Sequence, residues 1–315
     1  MKSKLLKCIL LSITILSAAM QPTATLAAST DYTAIPIETF VVETKDTVTG
    51  EISQEMFDTS ITAQAKRSGI NELTAPAFRG TAPEINYNIS PFSIIGPDNR
   101  YRVNTSIFPY RAICSISAYF DTNGDGRADK TALGTGFFEG PSAVVSCGHV
   151  IYDKDYGWCM YADVTPGKNG RGTSVEINPY GHARSTTIHT STAWINNKDW
   201  NQDWAVIEID KALGNKTGWM GKHWRNYSMN GETVYISGYH QDKNFEQWKS
   251  AGKIVASLDA RIEYDCDMIS GSSGSPVYWG DGIAVGINSY HGTGKNGGTR
   301  ITEWLFNYLQ QYNGS

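Results

Sequence analysis

Past its amino-terminal stretch, the 315-residue sequence has no apolar run long enough to cross a membrane, which excludes a later helical anchor. Basic residues never cluster: 27 Lys and Arg are scattered among 31 Asp and Glu, for a formal charge of -4. No stripe exists that would neutralise a row of phosphates, so nucleic acid is not expected as a partner. Long helix-forming tracts are missing, and so is any repeat of fixed period, which sets aside solenoid arrays. Cysteine is sparse, at 5 residues, too few for a disulfide scaffold in a chain of this size. What is plentiful is Gly (31), Tyr (17) and Trp (9), a composition of short strands and tight turns.

The amino terminus sets the compartment. Lys2, Lys4 and Lys7 precede an apolar stretch from Cys8 to Ala19, and the small residues Ala24, Ala27 and Ala28 follow. This is the tripartite pattern of a secretory signal peptide, cut near Ala27 or Ala28, and the stretch is shorter than the roughly twenty residues of a spanning helix. Residues 1–28 are therefore expected to be removed, leaving a secreted, extracellular protein with no membrane attachment. Cys8 departs with this segment, and Cys114, Cys147, Cys159 and Cys266 remain. An even number in an oxidising compartment permits two disulfides, with Cys147–Cys159 the preferred bridge; free buried thiols are the alternative.

A second boundary lies near residue 93. The segment before it has neither Trp nor Cys and carries four basic side chains against nine acidic ones, whereas all nine Trp lie beyond it. Residues 29–92 read as a propeptide or flexible leader and 93–315 as the folded unit. Within that unit the apolar runs are short and β-branched: Ile113 to Phe120, Ala143 to Cys147, Trp204 to Ile209, Thr233 to Ser237, Lys253 to Ser257, Pro276 to Trp279 and Ile283 to Ile287. Each is bounded by Gly, Asn, Asp or Pro, which predicts an antiparallel all-β protein. Only the tail reads as a helix, with Ile301, Leu305, Tyr308, Leu309 and Tyr312 at helical spacing and Thr302 as its cap.

The chemistry begins at Gly271-Ser272-Ser273-Gly274-Ser275-Pro276. A serine hydroxyl attacks a carbonyl when a base takes its proton and donors receive the oxyanion, and flanking glycines let backbone N–H groups curl toward that oxygen. Such turns are also common between strands, so the motif needs a base. His149 ends the strand-like run before Val150, where a barrel can hold its ring, whereas His182, His189, His223, His240 and His291 fall in loop-like stretches and are expected on the surface. Asp203, just before the run Trp204 to Ile209, sits where it can accept the second imidazole proton. The order His149, Asp203, Ser273 is that of one known catalytic arrangement.

At these motifs the sequence resembles the secreted glutamyl endopeptidases of Gram-positive bacteria, which are chymotrypsin-fold serine proteases. Gly148-His149-Val150, Asp203 to Ile207, the Gly271 to Pro276 turn, Asn296-Gly297-Gly298, Ser237-Gly238-Tyr239 with Asp242-Lys243, and Ile94-Ile95-Gly96 carry the resemblance. It implies two six-stranded antiparallel β-barrels with the active site between them, a C-terminal α-helix, a zymogen, protein or peptide substrates and no cofactor, in a chain expected to be monomeric. It also implies His149 as base, Asp203 as its orienter, Ser273 as nucleophile, and the N–H groups of Gly271 and Ser273 as the oxyanion hole. Family members carry Asn or Asp where this chain has Ser272. Two departures touch the specificity pocket: Asn288 replaces a His, and Met268 replaces a Thr, both of which hold a substrate carboxylate in the family. Asp267, six residues before Ser273, stands where trypsin-like enzymes bind basic side chains, so glutamyl, basic and broad specificities are all open.

Other readings compete with a serine endopeptidase. One is a protease-like binding or adhesion protein without turnover, against which the complete triad weighs; another is a carbohydrate binder suggested by Trp and Tyr alone. Asp121, Asn123, Asp125 and Asp129, with Gly126 between them, resemble the first half of a structural calcium loop. The twelfth position is Ala132 rather than Glu, and a solvated hairpin turn explains the same residues.

Overall fold

In the computed structural model, residues 40–57, 69–84, 98–172, 174–292 and 295–313 are described. The expected signal peptide, the cut near Ser93 and the Ile94-Ile95-Gly96 motif lie outside them. Six strands make the first barrel: β5 (Ile113–Phe120), β6 (Lys130–Phe138), β7 (Ala143–Ser146), β10 (Tyr161–Pro166), β11 (Ala183–Ser191) and β12 (Ala205–Ile209). They run in the order β10-β5-β6-β7-β12-β11, and a β10–β11 pairing closes the ring. Six more make the second: β14 (Thr233–Tyr239), β15 (Gln247–Ser257), β16 (Arg261–Tyr264), β17 (Pro276–Trp279), β18 (Ile283–Gly292) and β19 (Lys295–Arg300). Their order is β17-β14-β15-β16-β19-β18, closed by β17–β18, and neighbours along both rings are antiparallel. Two closed barrels leave neither sheet with an open edge along its own ring.

The predicted strands are all present, with β5 and β17 over the expected residues. On β5, β7 and β12 of the first barrel, Ile113, Ile116, Val144, Val206 and Ile207 have no exposure and join the hydrophobic core. Val234, Ile254, Ile262 and Val277 do the same in the second. The predicted helix spans Glu303–Gln310, and Thr302 Oγ1 caps it by accepting the Leu305 N–H (3.4 Å). Its buried face, Leu305, Phe306, Tyr308 and Leu309, joins the large core cluster.

The leader departs from its expected flexibility. β1 (Phe40–Asp46) and β2 (Ile52–Phe57) form a hairpin laid along β11, with Val42 opposite Ser191 and Asp46 opposite Thr187. β3 (Glu72–Ala75) pairs with β13 (Gly221–Arg225), which touches β18 through Gly221 and Lys222. Val42 and Ala75 are buried, and Phe40 stacks on Trp304 with ring centroids 3.7 Å apart. Acidic composition concealed the β-branched residues of β1, Val41, Val42 and Thr44, which suit a strand.

Two further expectations are corrected. All four described cysteines are free and buried, so the Cys147–Cys159 disulfide does not form in this structure. Cys147 Sγ instead donates to the Asn288 carbonyl (2.9 Å), and burial pushes the Cys159 and Cys266 thiols up to about 12; they pack as small apolar side chains. Three histidines expected on the surface are buried as well. His189 lies between Thr44 Oγ1 (2.8 Å) and Glu208 Oε1 (2.8 Å), His223 Nδ1 meets Thr74 Oγ1 (2.7 Å), and His240 Nδ1 meets Arg100 (2.6 Å).

The Asp121 loop is exposed, and its carboxylates serve the turn. Asp121 accepts the N–H groups of Gly124 (2.7 Å) and Gly126 (2.8 Å), and Asp129 accepts that of Thr122 (3.0 Å). This is the hairpin arrangement that the sequence also allowed.

Candidate active site

β7 ends at Ser146, and the chain turns directly into α1 (Gly148–Ile151), a single helical turn that carries His149. The ring packs near two indoles, Trp194 at 6.2 Å and Trp200 at 6.3 Å between centroids. Asp203 arrives on the neighbouring strand, after a 3-10 turn over Trp200–Gln202 and just ahead of β12, whose Ala205 pairs with Ser146 of β7. It is fully buried, so its charge needs donors. Three supply them: the His149 backbone N–H (2.8 Å), His149 Nδ1 (2.7 Å) and the Ser289 hydroxyl. Burial alone pulls the His149 pKa down, but the charge and hydrogen bond of Asp203 outweigh it and hold the imidazole above the ordinary histidine value. Nδ1 is thereby committed to Asp203, which leaves Nε2 for exchange with a substrate or nucleophile.

Ser273 sits on the turn before β17. Gly271 and Gly274 both have positive φ, +95° and +88°, which side chains rarely adopt. Space is equally restrictive: a Cβ at Gly271 would stand 2.4 Å from the Tyr239 carbonyl oxygen, and one at Gly274 2.0 Å from that of Thr135. The turn is held from both barrels. Thr135 of β6 donates its N–H to Ser273 O (2.8 Å) and its hydroxyl to Gly271 O (2.8 Å), while Gly274 N donates to Asn288 O (2.7 Å) on β18. Among the described residues, no acceptor takes the N–H of Gly271 or of Ser273. These two donors remain for an oxyanion.

His149 and Ser273 line one cleft of about 690 Å³ between the barrels. Met268 and Asn288, both expected at the pocket, are on its wall. The Asn288 side chain has no free end: its Oδ1 accepts the Tyr264 hydroxyl (2.6 Å), and its Nδ2 donates to Ser272 O (2.8 Å). Asp267 is not on the wall. Its carboxylate accepts the Asn99 N–H (2.7 Å) and its own N–H donates to Ser250 Oγ (2.8 Å), so spacing from the nucleophile placed it correctly in sequence but not in the cleft.

Sequence reasoning missed Ser289, Tyr264, Trp200 and Arg261. Ser289 directly follows Asn288, a pocket position already singled out, and this adjacency was its available signal. Tyr264 and Arg261 reach the site through the pairing of β16, which no local motif announces, and Trp200 through the 3-10 turn just before Asp203.

Cys147, His149 and Asp203 present three metal-type ligand atoms within 4.8 Å of one another. Their chemistry does not fit a resident cation. Burial and then the Asp203 charge push the Cys147 thiol well above its ordinary value, and the carboxylate is already taken by three donors.

The model of the trypsin-like peptidase domain matches residues 134–287. The chain is 33% identical to the glutamyl endopeptidase of Bacillus licheniformis over 321 residues, covering 97% of this chain and 95% of that protein. It is 32% identical over 249 residues to a protein of Bacillus subtilis named extracellular metalloprotease, covering 76% of each. Among solved structures, a Glu endopeptidase in complex with MPD superposes with a TM-score of 0.58 at 27% identity, over 70% of this chain and 98% of that one. Two closed barrels, a His–Asp pair and a glycine-flanked serine on one cleft, and these likenesses agree: the chain belongs to the glutamyl endopeptidase family of chymotrypsin-fold serine proteases.

Proposed function

We propose that this serine endopeptidase works through Ser273 as nucleophile, His149 as general base and then acid, and Asp203 as the group that orients and stabilises the imidazolium. The carrying observation is the 2.7 Å contact of His149 Nδ1 with a buried Asp203, in the cleft that also holds Ser273. Nε2 takes the Ser273 proton as Oγ bonds to the scissile carbonyl carbon, and the negative oxygen settles on the N–H groups of Gly271 and Ser273. The imidazolium then gives its proton to the leaving amine, and the C–N bond breaks. Water, deprotonated by the same ring, releases the acyl group. A serine-directed phosphonate tests the assignment. It labels the active protein and not Ser273→Ala; a label that persists on that variant refutes it.

The substrate side of the cleft supports cleavage after acidic residues, as the relatives' names suggest. Among the described residues its wall carries no Asp or Glu, and Asp267, the group that favours a basic side chain, is turned toward Asn99. A peptide library decides: cleavage after Lys or Arg rejects the acidic preference.

We also propose export through removal of residues 1–28, processing near Ser93 or Ile94, action on extracellular proteins as a monomer, and no cofactor. Amino-terminal sequencing of the enzyme from culture medium tests the processing step; an active form that begins at residue 28 or 29 refutes it.

A further inference from the structure

The cleft wall has a charge that the catalytic roles do not use. Among the described residues, Arg261 is the sole Lys or Arg on it, and no carboxylate shares the wall. Arg261 opens β16 and lies over Tyr290, 5.6 Å from the ring centroid. Tyr290 meets Trp200 edge-on at 5.9 Å, and Trp200 in turn lies 6.3 Å from His149, so an aromatic wall runs from the base to the guanidinium. The nearest acidic residue along the strand, Glu263, is engaged by Lys295 Nζ and by the Tyr290 hydroxyl (3.4 Å). No ion pair joins Arg261 to a carboxylate among the described residues, and its Nε is buried without a partner. A guanidinium partly stripped of water and left unpaired favours an anionic ligand.

Position decides which part of a substrate it meets. Tyr264 holds Asn288 behind the nucleophile turn, and Arg261 lies three residues away on the same strand, roughly 10 Å at the rise of a β-strand. The leaving amine is protonated by His149 and so lies on the side of the first barrel. The acyl half, whose oxygen rests on the Gly271 turn, lies on the side of the second barrel, beside β18. An extended chain passing outward along Tyr290 covers that distance in about three residues.

We propose that Arg261, laid against Tyr290 and Trp200, forms an outer subsite that binds a substrate carboxylate two to four residues before the scissile bond. It rests on the reading of this cleft as the site of peptide cleavage and adds a second acidic determinant, separate from the residue at the bond itself. The substrate class is then a peptide with two spaced acidic residues.

The test uses the processed enzyme and internally quenched peptides with one fixed residue at the scissile bond. Glu, Gln or Lys is placed in turn at each of the three positions before that residue and the four positions after the bond. With wild-type enzyme, Glu exceeds Gln in kcat/KM by roughly tenfold at one upstream position, the size of a charge-assisted hydrogen-bonded pair. In Arg261→Gln that ratio falls to about one, and in Arg261→Glu it turns in favour of Lys; a purely structural role would lower all peptides together and leave the ratio intact. The proposal is overturned if the wild-type ratio is near one throughout, if the gain lies on the leaving side, or if Arg261→Gln keeps it. Failure of the parent reading looks different: no phosphonate label on Ser273 and no turnover of any peptide.

Discussion

Ser289→Ala tests the electrostatics of the site. The hydroxyl donates to the same Asp203 oxygen that faces His149 Nδ1, and Asp203 is wholly buried, so the lost donor is not replaced by bulk water. A hydrogen bond to a charged group is worth roughly 1.5–3 kcal/mol when its partner stays buried. Part of that loss passes to the imidazolium, because a less satisfied carboxylate attracts it more strongly; one pH unit corresponds to about 1.4 kcal/mol. The sign follows from the base: His149 already lies above the ordinary histidine value and must be neutral to accept the Ser273 proton. Activity is therefore present above its pKa and lost as pH falls through it. Ser289→Ala moves the acid limb of kcat/KM upward by about one pH unit and leaves the alkaline plateau within about tenfold of wild type. Ser289→Thr, which retains a hydroxyl, restores the limb. Profiles of kcat/KM across the acid range decide it. An unmoved or lowered limb in Ser289→Ala refutes the argument that this hydroxyl sets the field at the base.

Other outcomes can be checked independently. Lys222 and Glu139 are both fully buried and paired, so Lys222→Met strands a carboxylate and lowers unfolding stability by about 3–5 kcal/mol, whereas adding Glu139→Leu recovers most of it; denaturant titration measures both. Ser273→Ala and His149→Ala each lower kcat by factors of thousands or more with unchanged far-UV circular dichroism, and a variant retaining about a tenth of the activity shows that the wrong residue was chosen. Because the four cysteines are free, a thiol reductant leaves Tm unchanged; a fall of several degrees contradicts this. EDTA likewise leaves Tm unchanged, since the Asp121 and Asp129 oxygens already accept the loop's own N–H groups; a drop identifies calcium there.

The residues of the proposed triad were legible because each stands at a strand end marked by local chemistry: glycines flank Ser273, an apolar run leads into His149, and another follows Asp203. Ser289 and Arg261 were not legible in this way. A serine inside a strand and an arginine after a turn look ordinary until β16 and β18 are brought into one ring. Cysteine parity misled because it speaks to compartment, whereas burial of Cys114 and Cys266 in different clusters reflects packing. Asp267 shows a related limit: counting back from the nucleophile finds the residue, but its direction depends on Asn99, far away in sequence. The leader was misjudged for a similar reason, since its charge balance was visible and the strands it pairs with were not.

The leader's two pairings also make it a bivalent ligand for the rest of its own chain. β1 lies on the first barrel and β3 reaches the second through β13. A cut between residues 84 and 98 severs a covalent tether but leaves both attachments on one fragment. If β3 lifts from its partner, β1 keeps it nearby at a high effective concentration, and the converse also holds. Escape then requires both strands to open together, which is rarer than either event alone. Dilution has little leverage on such a fragment, whereas a second cut between β2 and β3 would divide it into two monovalent pieces, each free to leave by itself.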